Sequence, residues 1–198
     1  ADRSKNTREK RYLTFSNQFD VTLFKKLVLT AVYDYRQRDN LFKYRNNTFE
    51  YSRQQGVVET FTSGSVENSY REIHQTYKGH NVNIYGTYEN SWGGHNLKIT
   101  AGGQYEDYRS TSLDAKQTDL SSDDIDSFTV ATGPITLSQE ILAYRTLGFF
   151  GRVNYDYEGR YIFEASARGD GSSRFAPDCR WGTFLSASAG WVFTEEKF

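Results

Sequence analysis

Apolar and polar residues alternate along much of this chain with a period of two. In "LVLTAVYDY", Leu27, Leu29, Ala31, Tyr33 and Tyr35 share one face, against Thr30, Asp34 and Arg36. "NVNIYGTYE" sets Val82, Ile84, Gly86 and Tyr88 against Asn81, Asn83, Thr87 and Glu89. "LKITAGGQYE" sets Leu97, Ile99, Ala101 and Tyr105 against Lys98, Thr100, Gln104 and Glu106. "GRVNYDY", "YIFEASARGD" and "FLSASAGWVF" repeat the pattern near the carboxyl end. Successive side chains of a strand point to opposite faces, so this pattern predicts β-structure. No comparable helical period stands out.

Seven strands are predicted, at about 12–23, 27–38, 73–90, 95–109, 146–157, 160–170 and 182–194. The connections alternate in length. Short ones fall near 24–26, 91–94 and 158–159, and long ones cover about 39–72, 110–145 and 171–181. Both prolines, Pro134 and Pro177, lie in long connections, where a missing N–H does no harm. The expected fold is therefore all-β, an antiparallel up-and-down meander. Strands this long with alternating turn lengths suit an outer-membrane barrel. On that reading the Val82/Ile84 and Leu97/Ile99 face meets lipid, and the Asn, Asp, Glu, Arg and Lys face lines a wet lumen. Trp92, Tyr155, Tyr157, Tyr161, Trp191 and Phe193 lie near the short turns, where amphipathic rings form an interfacial girdle. A soluble antiparallel sandwich would alternate too, with shorter strands and a denser aliphatic core.

Composition weighs on that choice. Aromatics make up 16% of residues while only 37% are hydrophobic, a balance that suits a sheet with one apolar and one wet face. An open seven-stranded sheet would leave two unpaired edges in a medium that cannot hydrogen-bond them. The strands are thus expected to form part of a larger barrel. Methionine is absent, even at position 1, which leads to the expectation of a processed chain or a piece of a longer one.

Net charge is −1 and no basic face is evident, so nucleic acid is not an expected partner. A basic cluster near the start (Arg3, Lys5, Arg8, Lys10, Arg11) reads as a solvated segment. One cysteine, Cys179, excludes an internal disulfide, and no apolar run is long enough for a spanning helix. His74 and His80 stand six residues apart, about 20 Å along a strand, too far to share an ion. Asp123, Asp124 and Asp126 lack the spacing of a calcium loop and read as a solvated acidic turn. No metal, cofactor or catalytic residue is expected: no nucleophile stands beside a base and an orienting group, and no Gly-x-Ser-x-Gly elbow is present. Asn46-Asn47-Thr48 matches the glycosylation sequon without further support. The first long connection carries Tyr44, Phe49, Tyr51 and Phe61, which either stack on a ligand or pack on one another.

The stretch "ARGDGSSRFAPDCRWGTF", residues 167–184, contains an Arg-Gly-Asp triplet and a Gly/Ser cluster. The cluster is followed by Arg174 and Phe175 rather than by Gly-Lys-Ser/Thr, so it is not a phosphate cradle. Arg168 and Asp170 share the polar face at a strand end.

These residues also carry a family likeness. "FFGRVNYDYEGRYIFEASARGDGSSRF" followed by "RWGTFLSASAGWVFTEE" resembles the SusC/RagA family of TonB-linked (TonB-dependent) outer-membrane transporters. The matching residues include Gly151, Arg152, Asn154, Tyr155, Tyr161, Arg168, Asp170, Gly171, Ser172, Ser173, Arg174, Phe175, Trp181, Gly182, Phe184, Ser186, Ser188, Trp191, Glu195 and Glu196. "YENSWGGHNLKITAGGQYED" adds a weaker match. Leu185 departs from a position where the family often has proline, and Ala176 to Cys179 replace a commoner Gly/Asn turn.

The resemblance implies that residues 12–198 are a partial barrel, with 1–11 a loop or preceding strand segment, of a barrel of twenty-two strands. It implies a plug domain outside these residues, a SusD-like surface lipoprotein partner, and energy from the TonB complex. It implies import of oligosaccharides or peptides across the outer membrane of a Bacteroidetes-type bacterium. The barrel would contact lipid outside and plug or substrate inside, with Arg152, Glu164, Arg168 and Asp170 as the expected inner contacts. The competing reading is a soluble or surface-exposed β-sheet domain that binds glycans.

Overall fold

The computed structural model describes residues 4–61, 68–122 and 124–196. It contains nine strands: β1 (Lys5–Leu23), β2 (Leu27–Asn46), β3 (Phe49–Gln54), β4 (Val57–Phe61), β5 (Ser69–Trp92), β6 (His95–Thr118), β7 (Ile135–Tyr157), β8 (Tyr161–Ser172) and β9 (Trp181–Trp191). Seven form one sheet in the order β1-β2-β5-β6-β7-β8-β9, and β3 pairs with β4 separately. The sheet is the antiparallel meander that the alternation predicts.

Several strands run farther than the alternation does. β1 begins at Lys5, β2 continues to Asn46, β5 starts at Ser69, β6 reaches Thr118 and β7 starts at Ile135. The expected connections 39–72 and 110–145 are therefore partly strand, and the first holds the β3–β4 hairpin. Segments such as "RQRDN" and "REIHQ" are polar on both faces, so they give no period-two signal, yet their backbones still pair. The side chains of Phe49, Tyr51 and Phe61, and all of Arg3 and Asp123, lie outside the described residues.

The chain divides into two compact units. One comprises the described parts of Ala1–Leu13, Gln37–Tyr77 and Ser110–Leu142; the other comprises Thr14–Arg36, Lys78–Arg109 and the described part of Ala143–Phe198.

The second unit holds all three short turns. Each places two residues in the left-handed region: Phe24 (φ 52°) with Lys25 (φ 60°), Gly93 (φ 51°) with Gly94 (φ 87°), and Glu158 (φ 53°) with Gly159 (φ 69°). Two consecutive left-handed residues define the hairpin turn whose twist matches that of its strands. Glycine meets this demand without strain; Phe24 and Lys25 do not.

The two faces of this unit differ as the sequence predicts. On one, Phe19, Ile84, Ile99, Phe149, Phe163 and Leu185 are exposed, Ile84 at 60% and Leu185 at 78%. On the other, polar side chains bond across strands: Ser16 to Asp34 (2.5 Å), Thr30 to Asp20 (2.6 Å), Thr87 with Thr100 (3.3 Å) and Ser166 with Ser186 (2.8 Å). Among the described residues only Tyr70 and Leu120 are buried hydrophobics, and both belong to the other unit. A sheet in water needs a second layer over its apolar face, and no described residue supplies one. A lipid surround satisfies that face instead.

The expected aromatic girdle is assembled beside the short turns. Trp92 and His95 stack at 5.6 Å, His95 lies 4.7 Å from Tyr157, and its Nδ1 is 2.7 Å from the Tyr155 hydroxyl. Trp191 and Phe193 meet edge to face at 6.3 Å. Glu196 gathers this end, accepting from the Tyr161 hydroxyl (2.5 Å), Trp191 Nε1 (3.3 Å) and Arg160 Nη1 (3.3 Å).

Candidate functional site

Strand register builds the main site, on the polar face of the second unit. β8 pairs antiparallel with β7 and β9 on its two sides, so cross-strand rows can be read directly. One row is Phe150, Arg168 and Phe184; the next is Gly148, Asp170 and Gly182. Asp170 thus stands between two glycines, and Arg168 between two phenylalanines.

The Arg168 guanidinium is held on three sides. Its Nε donates to both Asp170 oxygens (2.9 and 2.7 Å), its Nη2 donates to Gln104 Oε1 (3.0 Å), and its Cζ lies 5.8 Å from the centre of the Phe150 ring. Gly148 makes this possible: a Cβ there would collide with the Asp170 carboxylate. Across the pair, the Phe184 ring folds over Gly182 within 3.4 Å of where a Cβ would stand, and it remains exposed. Gln104, Glu106, Thr146, Arg168, Asp170 and Phe184 are among the residues that line a recess of about 440 Å³. Its charged side chains, Glu106, Asp170, Arg168 and Arg180, balance. Paired charges, an amide, a hydroxyl and an exposed phenyl ring can hydrogen-bond a polar neutral ligand and stack on its apolar face.

The four residues expected to face plug or substrate fall into two pairs. Arg168 and Asp170 sit in the recess. Arg152 and Glu164 form another pair, 3.7 Å apart, with Asn154 donating to Glu164 (2.5 Å). Glu164 precedes Arg168 by four residues, about 13 Å along β8, and neither Arg152 nor Glu164 lines the recess. Gln104, Glu106 and Phe150 escaped sequence reasoning. Their parity marks the polar face, but only the register of β6, β7 and β8 brings them beside Arg168.

The hairpin after β8 is locked by the motif residues themselves. Ser172 receives the Phe175 N–H on its carbonyl (3.3 Å) and the Arg174 N–H on Oγ (3.3 Å), while its own N–H reaches Arg180 O (3.1 Å). Ser173 and Arg145 exchange two bonds, Ser173 N–H to Arg145 O (2.9 Å) and Arg145 N–H to Ser173 Oγ (2.8 Å). Arg174 lies over the Tyr144 ring at 4.2 Å, and Trp181 covers Gly171 and stacks with Phe149 at 6.3 Å. Asp-Gly-Ser-Ser-Arg-Phe is thus a loop clamp whose aspartate also anchors Arg168. Cys179 is exposed on this loop.

The first unit carries a second polar centre. The Arg45 side chain, 2% exposed, donates from Nη1 to Asn68 Oδ1 (2.5 Å) and Asn46 O (3.0 Å), and from Nη2 to Ser122 O (3.1 Å). Asp126 lies 3.8 Å from its Nε. Asn68 also donates to Leu120 O (3.0 Å), and Phe128 meets the buried Tyr70 ring at 4.9 Å. The connection from β6 to β7 is thereby pinned onto its own small core. Burial and the neighbouring Glu72 raise the Tyr70 hydroxyl above its ordinary range. Arg71 binds Asp114 through two nitrogens, and that hydrogen bonding holds the Asp114 carboxyl below its ordinary value.

Comparisons with known proteins agree with this wall-like geometry. The chain is 37% identical over 120 residues to the TonB-dependent receptor SusC of Bacteroides thetaiotaomicron, an alignment covering 59% of this chain and 11% of that protein. It is 31% identical over 116 residues to the TonB-dependent receptor P3 of Formosa agariphila, covering 58% and 12%. It superposes on a chain of the RagAB peptide transporter with a TM-score of 0.83 at 18% identity, over 97% of this chain and 21% of that one. The chain therefore spans about a tenth of the length of these curated relatives and a fifth of the structural neighbour. No family model matches it. The relatives are receptors and transporters rather than enzymes.

Proposed function

We propose that this chain, a stretch of outer-membrane β-barrel similar to the TonB-dependent receptor SusC, serves as a section of the wall of a transporter that imports oligosaccharides or peptides. The observation that carries this reading is the sidedness of the sheet: one face leaves Ile84, Phe149 and Leu185 exposed, and the other bears the Arg168–Asp170 recess. The first face meets lipid, and the second lines the lumen and touches plug or cargo. The complete protein would take its energy from the TonB complex through segments outside these residues. A SusD-like surface lipoprotein would close it from outside, resting on the long connections. The charge balance of the recess suits hydroxyl-rich or backbone-amide ligands, which covers both cargo classes.

Cysteine scanning of the full-length protein in intact outer membranes tests this reading, after Cys179→Ser. Ile84→Cys, Ile99→Cys and Leu185→Cys should react only with membrane-permeant reagents. Thr100→Cys and Ser186→Cys should react with water-soluble ones once these enter the lumen. Equal labelling of both faces, or recovery of the protein without detergent, would overturn it.

A further inference from the structure

The apolar face of the second unit changes character abruptly at one level. The side chains that β5 sends to that face over 82–92, β6 over 97–105 and β7 over 147–157 carry no charge. The next ones outward are Lys78, His80, Asp107, Arg109 and Arg145. All five belong to the second unit. The turn at Gly93 and Gly94 sets Trp92 opposite His95, and Thr87 meets Thr100 in the same register. That register carries His80 opposite Asp107 and Lys78 opposite Arg109. Arg145 joins from β7, its Nε donating to Asp107 Oδ2 (2.8 Å).

Strand geometry gives the height of this cluster. Asp107 lies twelve residues beyond His95, and Arg145 twelve before Tyr157, two members of the aromatic girdle beside the short turns. Twelve residues span about 40 Å of strand, or about 28 Å across a bilayer at a tilt of about 45°. That matches a hydrocarbon core about 30 Å thick. Short turns of such barrels face the periplasm, so the five residues stand at the level of the outer headgroups. Rings mark the same level, as at an interface. The Tyr33 hydroxyl is 2.9 Å from His80 Nδ1, the Tyr35 and His80 rings lie 4.9 Å apart, and Tyr105 donates to Asp107 (3.3 Å).

Three cations share this level with a single carboxylate. Arg145 pairs with it and still leaves its side chain 69% exposed. Lys78 and Arg109 are exposed, form no ion pair among the described residues, and stand opposite each other. Like charges so placed repel, and an anion between them turns that repulsion into attraction. A guanidinium fork and an ammonium both suit phosphate. We propose that Lys78, Arg109 and Arg145 form a binding site for the phosphate of an outer-leaflet lipid headgroup. A lipid is the occupant, rather than free phosphate, because uncharged positions follow directly below: Val82, Tyr105 and Leu147 stand next inward, where acyl chains would lie. The inference rests on the wall reading for which face meets lipid; cysteine labelling tests that reading separately.

The test titrates the full-length protein in a maltoside detergent with dioleoyl phosphatidic acid, dioleoyl phosphatidylcholine or glycerol phosphate, and counts bound molecules by native mass spectrometry. Phosphatidic acid should bind saturably and at least tenfold more tightly than phosphatidylcholine. Lys78→Gln with Arg109→Gln should weaken the tightest phosphatidic acid site at least tenfold, and Lys78→Glu with Arg109→Glu should remove it. Arg109→Gln alone should cost severalfold, which keeps the test decisive if a double variant fails to fold. Lys98→Gln removes a charge from the polar face, where Lys98 pairs with Glu89 (2.6 Å), and should change nothing. Equal binding of the two lipids, or binding indifferent to the Lys78 and Arg109 variants, would overturn the proposal. Glycerol phosphate binding as tightly as phosphatidic acid would make this a free-phosphate site and overturn the lipid assignment. If lipid preference is absent while cysteine labelling still separates the two faces, this proposal falls and the wall reading stands.

Discussion

The indole of Trp181 lies over Gly171 on the neighbouring strand, so closely that a methyl group on Gly171 would stand 2.8 Å from the ring. Gly171→Ala must therefore push the indole off Phe149 or bend β8. Overpacking of this kind costs about 1–3 kcal/mol. The midpoint of urea unfolding of the full-length protein in detergent should fall accordingly, and Gly171→Ala with Trp181→Leu should recover part of the loss.

Gly148→Ala should act on function rather than on the wall. Its methyl group would occupy the space of the Asp170 carboxylate and release Arg168. Cargo uptake should drop severalfold while the amount of folded protein in the outer membrane stays level. Arg152→Ala, whose side chain lies outside the recess, should leave uptake nearly unchanged.

Lys25→Gly should stabilise the protein. Lys25 holds a φ of 60°, and an L-residue in that region costs roughly 1–2 kcal/mol. Part of that strain is regained on substitution, so the unfolding midpoint should rise. No gain would mean that the Lys25 side chain makes an offsetting interaction with its surroundings.

The Arg71–Asp114 pair sets an acid limit on its own unit. Hydrogen bonding to Arg71 lowers the Asp114 carboxyl from its ordinary 3.8. A depressed carboxyl stabilises the folded state above its unfolded value, and that contribution fades as pH falls through the folded one. Amide protection at 110–118 should therefore be flat at neutral pH and weaken below about pH 3.8. Asp114→Asn should lower it at neutral pH and flatten the acid dependence.

Arg45→Ala should free the connection between β6 and β7. It removes the charged donor that Asn68, Ser122 and Asn46 share inside a buried site. A hydrogen bond to a charged group contributes about 1.5–3 kcal/mol, so exchange at 119–132 should quicken by at least tenfold. The second unit should keep its protection.

Alternation located the seven main strands because a face that meets lipid must be apolar at every second residue. It failed beyond about residue 38 and before about 73, where charged and polar residues interrupt the pattern and pairing maintains the strand. The β3–β4 hairpin, with strands of only six and five residues, fell inside an expected connection. Within the site, Arg168 and Asp170 were legible as a polar pair at a strand end. Gln104 and Phe150 were not, because they lie 64 and 18 positions away in sequence and meet Arg168 only through register. The clamp roles of Ser172, Ser173 and Arg174 could not be read either, since their partners are backbone groups and a ring on another strand.

The three short turns set a rule for how this wall can vary. A turn of two or three residues, two of them left-handed, has no slack: adding one residue changes the turn type and shifts every side chain after it to the wrong face. Length changes are thus excluded at these joints without a compensating bulge. The pinned connection between β6 and β7 and the clamped hairpin after β8 carry no such constraint on the face of the next strand. Insertions that diversify such a wall, whether by natural drift or by an engineer placing a tag, have those places open to them and the three turns closed.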